Sequence, residues 1–279
     1  MRVFISADIE GTTFTTMWDE TELGHNLYAA AAKQMTAEVK AACEGAIAAG
    51  ADYILVNDAH DYAVNLDVNE LPECVEVIRG WSGSPMGMVD GVDNSFDAAM
   101  FIGYHSAAGR CGNPLSHTFT TKTTSVKLNG MVCSEFLLYS WACALRGVPT
   151  VLLAGDKMLT EDSQGLHPAL HTVAVKDGFG GSTKCLNPAL ACKKIREQAE
   201  AALKEDLSKA GISLPGEFVF EVSFKSTATP SAAPSSPASV WKATAPSSWR
   251  PMTLWTCCAL SSSSCKQVKA YEGIHQRRY

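Results

Sequence analysis

The segment Ser6-Ala7-Asp8-Ile9-Glu10-Gly11 holds two carboxylates two residues apart, directly after the apolar run Val3–Ala7. A run of that kind reads as a buried strand, and side chains alternate along a strand. If the strand persists, Asp8 and Glu10 therefore project to the same face. Like charges that close repel unless a cation or a proton lies between them. Taken alone, a D-x-E pair is better described as exposed loop acids. The arrangement recurs, however. Ile54-Leu55-Val56 leads into Asn57-Asp58-Ala59-His60, and Met100-Phe101-Ile102-Gly103-Tyr104 leads into His105. Parallel strands gather their C-terminal ends, so three apolar strands would deliver carboxylate and imidazole to one place. That mixed oxygen and nitrogen set suits zinc, manganese or cobalt. Two further residues are weaker on spacing alone. His117 lies in the polar stretch Pro114–Thr118, where a surface loop histidine is the plain reading. Glu135, near the start of a helix expected over Met131–Leu145, is also what a helix dipole favours in its first turn.

The elements that must position these residues alternate along the chain. Strands are expected at Val3–Ala7, Tyr53–Val56, Val75–Arg79, Ala98–Gly103, Pro149–Gly155, Val173–Lys176 and Phe218–Phe224. Helices are expected at Asn26–Ala49, Met131–Leu145 and Pro188–Ala210, each closed by a glycine. Asn129-Gly130 inside Thr124–Met131 marks a tight hairpin. Short apolar strands separated by helices predict an α/β fold, a mostly parallel sheet flanked by helices, followed by an irregular C-terminal tail.

With 279 residues and 46% hydrophobic content, the chain can bury a substantial core in one large domain or two small ones. A net charge of −6 argues against a nucleic-acid or anionic-membrane partner. No apolar run is long enough for a membrane span, and the N-terminus enters a strand without a signal-peptide core. Ten cysteines are scattered, with Cys43, Cys143 and Cys192 inside helical patterns. Reduced, buried thiols in a cytoplasmic protein are the expectation.

From Ser226 to about Cys265 the composition shifts to Ser, Pro, Ala, Thr and Trp, and periodicity is lost. The expected division is a domain over residues 1–225 and a low-complexity tail over 226–279. Disorder is one reading of that tail. Yet Trp241, Trp249, Trp255 and the adjacent Cys257-Cys258 are unusual in disordered chains. The favoured reading is translation out of frame. With one choice of synonymous codons, Ser226–Pro230 reads as EHRDA in a shifted frame, and Pro251–Ala259 reads in the same frame as the amphipathic DDVVDVLRA; sequencing the coding DNA tests it.

In order and at matching spacing, S-A-D-I-E-G, V-N-D-A-H, G-Y-H-S, S-H-T and G-x-x-x-S-E-F resemble the M55 metallopeptidases, D-aminopeptidases of the DppA type. The resemblance runs from Met1 to about Lys225. It implies a dinuclear zinc centre, two Zn2+ per subunit, and removal of N-terminal D-amino acids such as D-Ala from short peptides. It also implies self-association into a ring-like homo-oligomer, a decamer, with its active sites inside. Matched residue by residue, Asp8 resembles the bridging carboxylate, Glu10 and His60 the ligands of one zinc, and His105 and Glu135 those of the other. His117 resembles the catalytic histidine. The shifted-frame peptides are similar to the family's C-terminal region. Phe14 stands where a glycine is common. Asp177–Thr183 departs from the usual basic, aromatic loop, and its glycines invite a phosphate-binding reading that a flexible helix-entry loop answers better. Two alternatives remain open: a metal-dependent amidase or esterase for another small substrate, and an inactive metal-binding protein whose C-terminal region is scrambled.

Overall fold

The computed structural model describes residues 1–225 and the strand at 239–244. In chain order the elements are β1 (Arg2–Ala7), α1 (Tyr28–Ala48), β2 (Tyr53–Asp58), β3 (Val75–Ile78), β4 (Ala98–Tyr104), β5 (Thr123–Leu128) and β6 (Met131–Val132). They continue with α2 (Glu135–Leu145), β7 (Thr150–Asp156), α3 (Lys157–Leu166), β8 (His171–Phe179), β9 (Ser182–Cys185), α4 (Pro188–Lys204), β10 (Glu217–Phe224) and β11 (Ser239–Thr244).

Seven strands form one sheet in the order β3-β2-β1-β4-β7-β8-β9, parallel except for β9, and four form a second, antiparallel sheet in the order β11-β10-β5-β6. The central strands β1, β4 and β7 are buried along almost their whole length because helices cover both faces. One core packs α1 and α4 on one face through Ala-rich surfaces, which let the two helices approach closely. The other packs α2, with Phe136, Leu137 and Trp141, between the first sheet and the inner face of the second, where Val126, Phe218, Phe220 and Val222 point inward. Strand order reverses at β1–β4, since β1 continues to β2 on one side and β4 to β7 on the other. In open sheets a crevice forms at such a reversal.

Backbone passes close to backbone at that crevice. A Cβ on Gly11 would stand 1.8 Å from the Tyr104 carbonyl oxygen, one on Gly155 2.1 Å from the same atom, and one on Gly103 2.1 Å from the Asp8 carbonyl oxygen.

Several expectations need correcting. The helix expected from Met131 begins at Glu135, because Met131–Val132 closes a hairpin on β5 and Ser134 then caps the helix by accepting from the Leu137 N–H at 3.0 Å. The helix expected to reach Ala210 ends at Lys204, with a separate 3-10 turn at Leu207–Ala210. Asp177–Thr183 is neither a phosphate loop nor a helix entry. It forms the β8–β9 hairpin, with Phe179 paired to Ser182 across Gly180-Gly181. Helix α3 was not foreseen, since only Leu159, Thr160 and Ser163 of its ten residues are buried. Within the stretch expected to be irregular, Ser239–Thr244 pairs with β10. The out-of-frame segments Ser226–Pro230 and Pro251–Ala259 lie outside the described residues. The seven cysteines among the described residues are all free, and Cys43, Cys133 and Cys143 are buried.

Candidate metal centre

Each expected site residue leaves an element at the crevice. Asp8 and Glu10 follow β1, His60 follows β2, His105 follows β4, and Glu135 opens α2. His117 lies in the loop between β4 and β5. All six side chains converge.

Asp8 turns one oxygen to each half of the cluster. Its Oδ1 is 3.4 Å from His60 Nδ1, and its Oδ2 is 3.5 Å from His105 Nε2. On the first side Glu10 Oε2 approaches His60 Nδ1 at 3.0 Å. On the second, Glu135 Oε2 lies 3.4 Å from His105 Nε2, and His117 Nε2 lies 3.8 Å from Glu135 Oε1. Donor atoms of Asp8, Glu10 and His60 lie within 4.8 Å of one another, as do those of Asp8, His105 and Glu135. Glu10, His105 and His117 form a third such group.

Backbone carbonyls fix the histidine protons. A carbonyl can only accept, so the ring nitrogen facing it carries the hydrogen. His60 Nε2 faces Thr21 O at 2.8 Å, leaving Nδ1 as a lone pair toward Asp8 and Glu10. His105 Nδ1 faces Ser106 O at 3.0 Å, leaving Nε2 toward Asp8 and Glu135. His117 Nδ1 faces Leu115 O at 2.9 Å, leaving Nε2 toward Glu135. Outer carbonyls that set imidazole orientation are what metal-binding histidines require.

The interior of the cluster lacks hydrogen bonds where a buried site should have them. Asp8 Oδ2, Glu10 Oε2 and His105 Nε2 are buried without a hydrogen-bond partner. Unpaired buried polar atoms are costly, and here their lone pairs face each other across gaps of ion-coordination size. Divalent zinc fits this set: carboxylate oxygens and neutral imidazole nitrogens, on two sides of one shared aspartate.

The charges respond to that crowding. Burial, reinforced by Glu10, pushes the Asp8 carboxyl up to about 8. Burial also pushes Glu10 up, but His60, His105 and His117 outweigh it and hold that carboxyl well below its usual range. Burial likewise acts to raise Glu135, yet His105 keeps it low. For His105, burial is overcome by Glu135, Asp8 and Glu10, which lift the imidazole to about 10. His60 rises for the same reason, chiefly through Glu10. The carboxylates thus favour positive charge between them, whether a proton on the imidazoles or a cation in its place. His117 goes the other way, lowered by burial and by His105.

Backbone strain surrounds the cluster. Phe14, Asp61, Ala63 and Phe119 have φ of 60°, 47°, 56° and 62°. Such values cost non-glycine residues about 1–2 kcal/mol each. Phe14 thus adopts a left-handed conformation that glycine takes without strain. Phe119 positions its N–H to donate to Glu135 Oε1 at 2.6 Å. Trp18 packs edge-on against His117, ring centroids 5.4 Å apart.

Sequence reasoning missed the buried polar residues behind the ligands. Asn113, Asp156, Lys176 and Glu38 are all buried, and none stands out by type or spacing. Burial pulls the Lys176 ammonium down to about 8 against the opposing pull of Asp156. A cavity of about 310 Å3 between α2 and α3 is lined by Ser106, Ser134 and Phe136, the sequence neighbours of His105 and Glu135, and not by the candidate ligands themselves.

Comparison with known proteins extends the picture. The Peptidase_M55 family, described as D-aminopeptidase, matches residues 1–243. A D-aminopeptidase of Bacillus subtilis (strain 168) is 30% identical over 227 residues, covering 80% of this chain and 81% of that protein. Among solved structures, the Zn-dependent D-aminopeptidase DppA from Bacillus subtilis, a self-compartmentalizing protease, matches with a TM-score of 0.80. That alignment spans 94% of this chain and 99% of the other at 24% identity, a likeness of fold.

Proposed function

The chain belongs to the D-aminopeptidase family Peptidase_M55, and from that premise we propose that it removes N-terminal D-amino acids, D-Ala among them, from short peptides at a dinuclear zinc centre. Asp8, Glu10 and His60 would hold one ion, and Asp8, His105 and Glu135 the other. The observation that carries this reading is Asp8 itself, whose two oxygens face His60 and His105 at 3.4 and 3.5 Å.

Zinc held there would lower the pKa of a coordinated water and polarise the scissile carbonyl. The protein supplies the proton traffic. His117 is kept neutral by burial, and its Nδ1–H is held by Leu115 O. Its Nε2 is therefore the atom that accepts a proton from the attacking water and returns it to the leaving amine. Glu135 Oε1, 3.8 Å from that nitrogen, stabilises the imidazolium formed in between. Buried walls exclude bulk water and strengthen each of these interactions.

The Zn-dependent, self-compartmentalizing description of the structural relative supports a zinc requirement and an enclosed homo-oligomer; a ring-like decamer is the form proposed. Enclosed sites would admit short peptides and exclude folded proteins. Among the described residues no helix is long and apolar enough to cross a membrane. The free cysteines among those residues support a cytoplasmic setting as part of the proposal. The test is release of D-Ala from D-Ala-D-Ala and longer D-Ala peptides, compared with their L-counterparts and simple amides. Chelator-sensitive cleavage of the D-peptides supports the assignment. Preference for non-peptide amides or esters supports the amidase reading, and failure on every substrate by zinc-loaded protein defeats both.

A further inference from the structure

Glu10 is a surface-type residue buried to 2% exposure on a loop, and a loop needs help to hold a carboxylate still. That help comes from behind. The backbone carbonyl of Glu10 accepts from Lys176 Nζ on β8 and from Asn113 Nδ2, the latter at 2.8 Å. Lys176 Nζ also donates to Thr15 O, so one ammonium ties both ends of the Glu10–Thr15 turn. The middle of the turn is fixed from the opposite side, where Thr13 N donates to Glu38 Oε1 on α1 at 2.9 Å. Lys176 and Asn113 are each 3% exposed. A lysine is almost never so buried unless its charge is used.

We infer that Lys176 and Asn113 are positioning residues for Glu10: they clamp its carbonyl, orient its carboxylate, and thereby set cation affinity on the Glu10–His60 side of the centre. This deepens the proposed function and rests on it. The same clamp reaches the other side only indirectly, through Asn113 Nδ2 at 3.5 Å from Asp156 Oδ2, which in turn accepts from Ser106 N at 2.6 Å. Removing the lysine should therefore loosen one half selectively.

The test uses the full chain, wild type and Lys176→Met, first metal-free and then titrated with Co2+ or Zn2+ alone. Hydrogen exchange of metal-free protein is expected to rise at the amides of residues 11–16 and not in α2. In the titration, followed by cobalt absorption and calorimetry, one equivalent is expected to weaken about 10- to 100-fold, with the other unchanged. Should Lys176→Met not fold, the isosteric Asn113→Asp, which removes the second donor to the same carbonyl, faces the same test. Unchanged exchange with unchanged titration overturns the inference, and so does equal weakening of both equivalents. Wild-type protein that takes up no metal defeats the proposed centre instead, and the exchange measurement then decides the clamp on its own.

Discussion

The imidazoles of His105 and His117 lie face to face, ring centroids 4.3 Å apart and planes within 11°. Their nitrogens are used differently, because Ser106 O takes the Nδ1–H of one and Leu115 O that of the other. His105 turns Nε2 toward two carboxylates that favour its charged form, whereas His117 remains at the rim, with its side chain 12% exposed. Stacking two rings without charging both is possible only if one stays neutral, which is the direction in which His117 is pushed.

The first prediction concerns that division of labour. His117→Asn should lower kcat by about 10²- to 10⁴-fold, the range for a lost general acid–base. Metal content should stay at the wild-type value. Steady-state kinetics and elemental analysis of the same preparation check both. Loss of metal would make His117 a ligand instead.

Ligand substitutions should divide by side. Glu10→Gln and Glu135→Gln are each expected to remove about one equivalent of zinc, and Asp8→Ala both. Elemental analysis after dialysis reads this directly. In wild type, zinc at 100 times its Kd should add about 2.7 kcal/mol of stability per site, seen as a higher Tm, and a chelator should reverse it.

A third expectation concerns pH and Glu38. Burial, only partly offset by Gln34 and Thr13, raises this carboxyl above its ordinary 4.5. Between 4.5 and the raised value the folded protein keeps a proton that the unfolded chain releases. Folded protein thus binds more protons there, and stability falls as pH rises through the window, then levels. Glu38→Gln should abolish that slope, so its stability relative to wild type improves with increasing pH. Urea titrations from about pH 4 to 8 measure the difference.

Gly155→Ala should be severe. Its Cβ would lie 2.1 Å from the Tyr104 carbonyl oxygen, which is backbone and can move only with β4. Overpacking of this kind costs on the order of 3 kcal/mol. Gly165→Ala, with nothing within 4 Å of its Cβ, is the control and should leave Tm near the wild-type value.

Much of this architecture was legible because apolar strands announce themselves and because parallel strands share an end. Asp8, Glu10, His60 and His105 each stand just past such a strand, so their meeting could be foreseen from position alone. Glu135 could not. It reaches the cluster from the first turn of α2, after a hairpin of only two residues in β6 that looked helical in sequence. His117 belongs to a loop without periodicity, and only its resemblance to a family motif singled it out. Lys176 was hidden by type: a lysine in a strand usually points to water, and nothing local reveals that the Glu10 turn covers it. Helix α3 escaped because its few buried positions give no apolar stripe.

The glycine seam has a consequence for how such a protein can change. Gly11, Gly103 and Gly155 bring main chain against main chain around Tyr104 and Asp8, leaving no side chain there to trim or enlarge. Spacing between the strands that carry Asp8 and His105 is therefore fixed by main-chain hydrogen bonds and backbone contact, not by adjustable side-chain packing. New tastes in substrate must be written elsewhere, in the loops around Trp18 and His117, while the scaffold beneath them stays as rigid as a jig.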